Sequence, residues 1–174
     1  MKLDLGLVKE LRNMTSASVA HCRQALLDAG GDLKKAAVIL RKRGLEIASQ
    51  KQGRAAKEGR IEAYVHLGNK IGVLLEVDCE TDFVAKNSDF AQFTKDLAMQ
   101  IAALNPLYIK REDVPKDSLG QQEDKEEFFK NHCLLEQLFV KDPSITIKDY
   151  LGSLIAKIGE NVVIRRFIRY KVGE

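Results

Sequence analysis

Apolar residues recur at two different periods along this chain, and the change of period divides it. In residues 4–44 the spacing is helical. Leu7, Val8 and Leu11 lie on one face of a first segment. A second helix is expected to start after Ser18, whose hydroxyl suits an N-cap, and to close at Gly30-Gly31, where a left-handed conformation is cheap. A third is expected from the N-cap Asp32 through the stripe Leu33, Ala36, Ala37 and Leu40 to a stop at Gly44. The stretch from Leu45 to Arg60 reads as a helical or flexible connector, with a domain boundary near residue 54.

The period then drops to two. Ile61, Ala63, Val65 and Leu67 alternate with Glu62, Tyr64 and His66 before a Gly68-Asn69-Lys70 turn. Val73, Leu75 and Val77 then alternate with Leu74, Glu76 and Asp78, which predicts a β-hairpin. A loop over residues 79–87 follows. Ser88 is placed as the cap of a long helix that buries Phe90, Phe93, Leu97, Ile101 and Leu104 and stops at Asn105-Pro106. Residues 107–142 hold an acidic stretch, including Glu112, Asp113, Asp117, Glu123, Asp124, Glu126 and Glu127. There, Leu134 to Val140 either finish a helix or begin a strand.

Thr146 is expected to cap a last helix carrying Tyr150, Leu151, Leu154, Ile155 and Ile158, with Gly159 ending it. Residues 162–172 read as a strand. Strict alternation puts Ile164, Ile168, Tyr170 and Val172 on one face and Val163, Arg165, Phe167 and Arg169 on the other. The fold class that results is α+β: a three-helix bundle, residues 1–53, then an antiparallel sheet covered by helices, residues 54–174.

Composition narrows the function. No apolar run nears the roughly 20 residues that span a bilayer. Met1-Lys2-Leu3-Asp4 is charged early, so the chain is expected to be neither secreted nor membrane-inserted. Three cysteines without CxxC spacing fit a reducing compartment, either bacterial cytoplasm or an organelle matrix. Residues 1–60 carry 13 Lys+Arg against 6 Asp+Glu, so this basic third faces nucleic acid or an acidic protein.

Little catalytic chemistry is visible. His21-Cys22 and His132-Cys133 are adjacent pairs, and neighbours on a helix diverge by about 100°, so neither readily offers two ligands to one metal. Cys79 with His66 on the facing strand is a weak candidate for an activated thiol. No phosphate-binding glycine loop or nucleophile elbow occurs, so no cofactor is expected. Arg165, Arg166, Arg169 and Lys171 admit two readings, charged protection of an edge strand or a nucleic-acid groove, with the first preferred. Phe83, between polar neighbours, either tucks under the long helix or stands out as an aromatic anchor.

Three ordered blocks break some of these ties. Val8-Lys9-Glu10-Leu11-Arg12 with Thr15, Cys22, Ala25-Leu26 and Gly30-Gly31-Asp32 resembles the N-terminal module of the elongation factor Ts family. Val77-Asp78-Cys79-Glu80-Thr81-Asp82-Phe83-Val84-Ala85-Lys86-Asn87 is similar to its central signature, and Ala156-Lys157-Ile158-Gly159-Glu160-Asn161 with Arg165-Arg166-Phe167 to its C-terminal one. The resemblance implies a guanine-nucleotide exchange factor for the GTPase elongation factor Tu, without an active site of its own. It implies a ubiquitin-associated-like bundle that docks on the GTPase domain through Arg12, Val19, Ala20 and Arg23. It also implies a wedge of Thr81, Asp82, Phe83 and Val84 beside the partner's nucleotide and magnesium.

On that reading no metal, membrane or specific nucleic acid is involved, and a homodimer is an open alternative. Two departures stand out. Val19-Ala20 replaces a methionine pair, which shortens the apolar reach of the bundle. Glu123 to Gln137 spans a region where many relatives carry an extra helical segment, so the second half of the core is shortened. Competing readings are an RNA-binding translation accessory, a ubiquitin-type adaptor and a thiol enzyme.

Overall fold

The computed structural model describes residues 4–15, 17–120 and 124–174; Met1 to Leu3 and Glu123, named above, lie outside them. The chain forms two compact units, residues 1–54 with 151–161 and residues 55–150 with 162–174.

The first unit holds α1 (Leu5–Thr15), α2 (Val19–Asp28) and α3 (Leu33–Lys51), together with the later turns of α8 (Ile147–Ile158). The two sequence-read caps form: Ser18 Oγ accepts from His21 N at 3.2 Å and Asp32 Oδ1 accepts from Lys35 N at 3.0 Å. Gly30 and Gly31 take positive φ, and Gly31 N donates to Leu26 O, closing α2. Val8, Leu11, Cys22, Ala25, Leu26, Ala36 and Leu40 fill a small core.

Gly44 does not end α3; the helix runs seven residues further, to Lys51. A Cβ on Gly44 would stand 3.2 Å from the Gly152 carbonyl carbon and oxygen, and one on Gly152 would crowd Leu45 at the same distance. The two glycines therefore mark a backbone-to-backbone helix crossing. Interior glycine costs about 1 kcal/mol of helix propensity, and here close packing offsets it. Two bonds link the segments: Lys51 Nζ to Gly159 O, and Asn161 Nδ2 to Arg54 O at 2.8 Å.

The second unit is built on an antiparallel sheet in the order β1 (Glu58–Val65), β2 (Ile71–Cys79), β5 (Val162–Lys171). Val73, Leu75, Val77 and Cys79 of β2 are buried on one face. Against β1 and β2 lies α5 (Ser88–Leu104), with Phe90, Phe93, Leu97 and Ile101 fully buried. Leu104 is exposed, because the stripe outruns the sheet. The cap of α5 is Asn87, whose Oδ1 accepts from Asp89 N at 2.7 Å, and Ser88 is the first helical residue.

Strand β1 turns its polar side inward. Glu62 and Tyr64 lie opposite Leu75 and Val73, while Ile61 and Val65 are exposed. Glu62 accepts from Arg60 Nε at 3.0 Å and from Thr94 Oγ1 at 3.1 Å, which settles its charge under the helix. Strand β5 departs from strict alternation. Val77 pairs with Ile164 but Glu76 pairs with Arg166, so Arg165 is an extra residue in a bulge. The bulge swaps faces: Val162 and Ile164 are buried, whereas Ile168 and Tyr170 are exposed.

Residues 105–146 contain α6 (Lys116–Gly120), α7 (Lys125–His132), a 3-10 turn at Leu134–Glu136, and the hairpin β3 (Leu138–Phe139) and β4 (Asp142–Thr146). Thus Leu134 to Val140 does not finish a helix: after the 3-10 turn it begins a strand, at Leu138. Gln100 pins the hairpin, donating to Leu138 O at 3.0 Å and accepting from Val140 N at 2.9 Å. Asp96, nearly buried, accepts from Tyr150 Oη, Lys141 Nζ and Gln92 Nε2. Thr146 and Asp149 bond each other's backbone N–H, a reciprocal cap for α8.

Candidate functional site: an exposed aromatic turn

Residues 81–87 are a turn of helix, α4 (Asp82–Ala85), not an irregular loop. Four residues cannot hold a helix by propensity, since nucleation alone is unfavourable. The turn is fixed from both ends. Thr81 is its N-cap, with Oγ1 3.5 Å from Val84 N, and the buried Cys79 thiol donates to Thr81 O at 3.2 Å. At the far end Lys86 N donates to Asp82 O and Asn87 N to Val84 O, and Asn87 at once caps α5. Val84 is 8% exposed and roots the turn in the core.

Phe83 is 83% exposed. The alternative in which it tucks under the long helix is therefore overturned; the side chain that enters the core is its neighbour, Val84. Beside it Asp82 Oδ2 lies 2.7 Å from Lys86 Nζ, an i,i+4 ion pair. That bond and charge hold the Asp82 carboxyl below its usual range and push the Lys86 amine up. Lys86 was missed from the sequence, although its spacing of four from Asp82 is a readable signal.

Arg12, Val19, Ala20 and Arg23 are all exposed, on the last turns of α1 and the first of α2. They belong to the first unit and the α4 turn to the second.

The remaining candidates dissolve. Glu58 pairs with Cys79, and His66 follows Val65 at the other end of β1. At about 3.3 Å per residue this separates Cys79 and His66 by roughly 25 Å, so no thiol–imidazole pair exists. His66 instead meets Tyr64 Oη at 3.0 Å. The basic residues of β5 are ion-paired locally: Arg165 with Asp78, Arg166 with Glu76, and Arg169 and Lys171 with the shared carboxylate of Glu174. Local pairing favours edge protection over a nucleic-acid groove. Among the described residues no helix is long and apolar enough to cross a membrane.

A family profile described as Elongation factor TS matches residues 7–126 and 124–174, nearly the whole chain. The chain belongs to the elongation factor Ts family. Among its relatives is an elongation factor Ts of Carboxydothermus hydrogenoformans, 48% identical over 97% of this chain and 88% of its own length. That of Caldanaerobacter subterraneus subsp. tengcongensis is 47% identical over 96% of this chain and 95% of its own. That of Thermodesulfovibrio yellowstonii is 44% identical over 100% and 98%. The alignments with these three relatives run over 191, 190 and 196 positions, more than the 174 residues of this chain, so each relative carries residues within the matched region that this chain lacks.

Proposed function

We propose that this chain is a guanine-nucleotide exchange factor that binds elongation factor Tu and promotes GDP release during translation elongation. The Asp82-Phe83 turn enters beside the partner's nucleotide and magnesium. The observation that carries this reading is the exposure of Phe83 on a turn anchored at both ends. A free large aromatic ring on a rigid stem needs an external partner to bury it.

The physics requires no active site in the chain. A protein that binds the nucleotide-free GTPase more tightly than the GDP form weakens GDP by the same factor by which GDP weakens it. What it must supply is a rigid wedge and contact area. Phe83 supplies compact apolar volume with few rotamers, and Asp82 a directional acceptor. Thr81 and Val84 hold the pair in place. Residues 1–53 act as the ubiquitin-associated-like docking module, with Arg12, Val19, Ala20 and Arg23 on the contact face. Residues 54–174 act as the core. The chain works in the cytoplasm and holds no metal or cofactor of its own. The test is GDP release from elongation factor Tu with and without the chain; an unchanged rate overturns the reading.

A homodimer is a second element of this reading, favoured by the outer face of the sheet. Leu74 stands opposite Ile168 there, and Ile61, Val65, Tyr170 and Val172 are also exposed. An apolar sheet face of this kind is covered most simply by a second copy meeting it symmetrically. Sedimentation equilibrium of the chain and of Leu74→Glu tests it: a monomeric wild type removes the homodimer and leaves the exchange reading intact.

A further inference from the structure

Helix α1 carries its apolar stripe one step further than its bundle uses it. Leu7, Leu11 and Met14 are spaced i, i+4, i+7, the rhythm of one helix face. Leu11 is fully buried and Leu7 packs against the core. Met14 is 60% exposed. The chain turns away before the stripe is covered: Thr15 Oγ1 bonds back to Leu11 O at 2.7 Å, and Ala17 packs on the core, its carbonyl facing the Cys22 thiol. This fold-back leaves the methionine outside. The next helix begins at once with two more exposed apolar residues, Val19 and Ala20.

Two arginines, Arg12 and Arg23, stand exposed at this end, with the exposed Glu10 one turn before Met14 on α1. Among the described residues neither Arg12 nor Arg23 is ion-paired, whereas elsewhere in the same unit Arg43 pairs with Asp28 and Lys35 with Asp32. Methionine is unbranched and polarizable, and moulds to an irregular apolar pocket at modest conformational cost. An apolar spot flanked by unpaired guanidinium groups matches a cleft that is apolar at its floor and lined with carboxylates at its rim.

We propose that Met14 is a partner-contact residue, the apolar anchor of the docking module. It seats in such a carboxylate-rimmed cleft of the GTPase with Val19 and Ala20 beside it and Arg12 and Arg23 at the edge. The proposal rests on the exchange reading and adds to it the residue that restores the apolar reach Val19 and Ala20 lack.

The full chain suits a direct test, because it holds only three methionines, Met1, Met14 and Met99. With 13C-methyl methionine labelling, Met14→Leu assigns the Met14 signal, and elongation factor Tu·GDP is then titrated in. The expected result is a shift or broadening of that signal. Met14→Glu should weaken binding by roughly tenfold or more, the scale of a central interface anchor. Met14→Leu should stay within about twofold, as a volume-conserving swap does. Both variants should keep the wild-type thermal unfolding midpoint, since the side chain lies outside the core. An unmoved Met14 signal in a sample that does accelerate GDP release overturns the proposal and leaves the exchange reading standing. So does wild-type affinity in Met14→Glu. Failure of the wild-type chain to accelerate GDP release overturns both.

Discussion

Asp82 and Lys86 form a closed ion pair across the single turn of α4, 2.7 Å apart, beside the exposed ring of Phe83. The bond from Lys86 is the main cause of the lowered Asp82 pKa. A depressed folded-state pKa contributes order above the ordinary carboxylate value and loses it as pH falls through the folded one. The turn therefore keeps this pair at neutral pH and loosens only in acid. In Lys86→Met, the Asp82 midpoint should rise toward the ordinary carboxylate range, read by NMR titration of the side-chain carboxyl. An unmoved midpoint would contradict the pairing.

The crossing of Gly44 and Gly152 predicts a stability defect within the first unit. A side chain on Gly44 meets backbone at 3.2 Å, and backbone cannot rotate away. Gly44→Val should cost about 1–3 kcal/mol, as overpacking generally does. The check is the urea midpoint, with partner binding measured separately at a temperature where the variant is folded.

Tyr150→Phe should cost about 1 kcal/mol, because it leaves Asp96 one donor short in a nearly buried position. Burial pushes the Tyr150 hydroxyl up, so it remains a donor at neutral pH, and the wild-type bond should not titrate there. Chemical denaturation of the two proteins at neutral pH decides it. Equal midpoints would mean that Lys141 and Gln92 suffice.

Charge reversal at Arg12 and Arg23 should slow association with the partner most at low salt. Exposed charges are screened over about 8 Å at physiological ionic strength, so the difference should shrink as salt rises. Stopped-flow association of wild type and Arg12→Glu/Arg23→Glu across a salt series measures it. A rate ratio that is flat with salt would assign these residues to contact rather than steering.

Much of the fold was legible because it obeys local rules. Ser18, Asp32 and Thr146 each stand before an apolar run, where a short polar side chain has little to do except cap. The misreadings share a cause. Gly44 signals either a helix end or a close approach, and only the residue across the crossing distinguishes them. Alternation in β1 gave two faces but not which one is inside, because the inward Glu62 is satisfied by Thr94 from a distant helix. One bulged residue, Arg165, reversed the faces of the rest of β5. At the α4 turn the residues were legible and their arrangement was not. A four-residue helix is too short to show a period, so the exposure of Phe83 and the burial of Val84 emerge only from the packed structure.

The measurement closest to the central claim is the rate of GDP release from elongation factor Tu with wild-type chain and with Phe83→Ala. Truncating an exposed ring removes no core packing, so the variant should unfold with the wild-type midpoint. Loss of a central anchor costs about 2 kcal/mol or more, roughly thirtyfold in the stabilisation of the nucleotide-free complex. The account predicts strong acceleration by wild type and little by Phe83→Ala. Near-normal acceleration by a folded Phe83→Ala would contradict it.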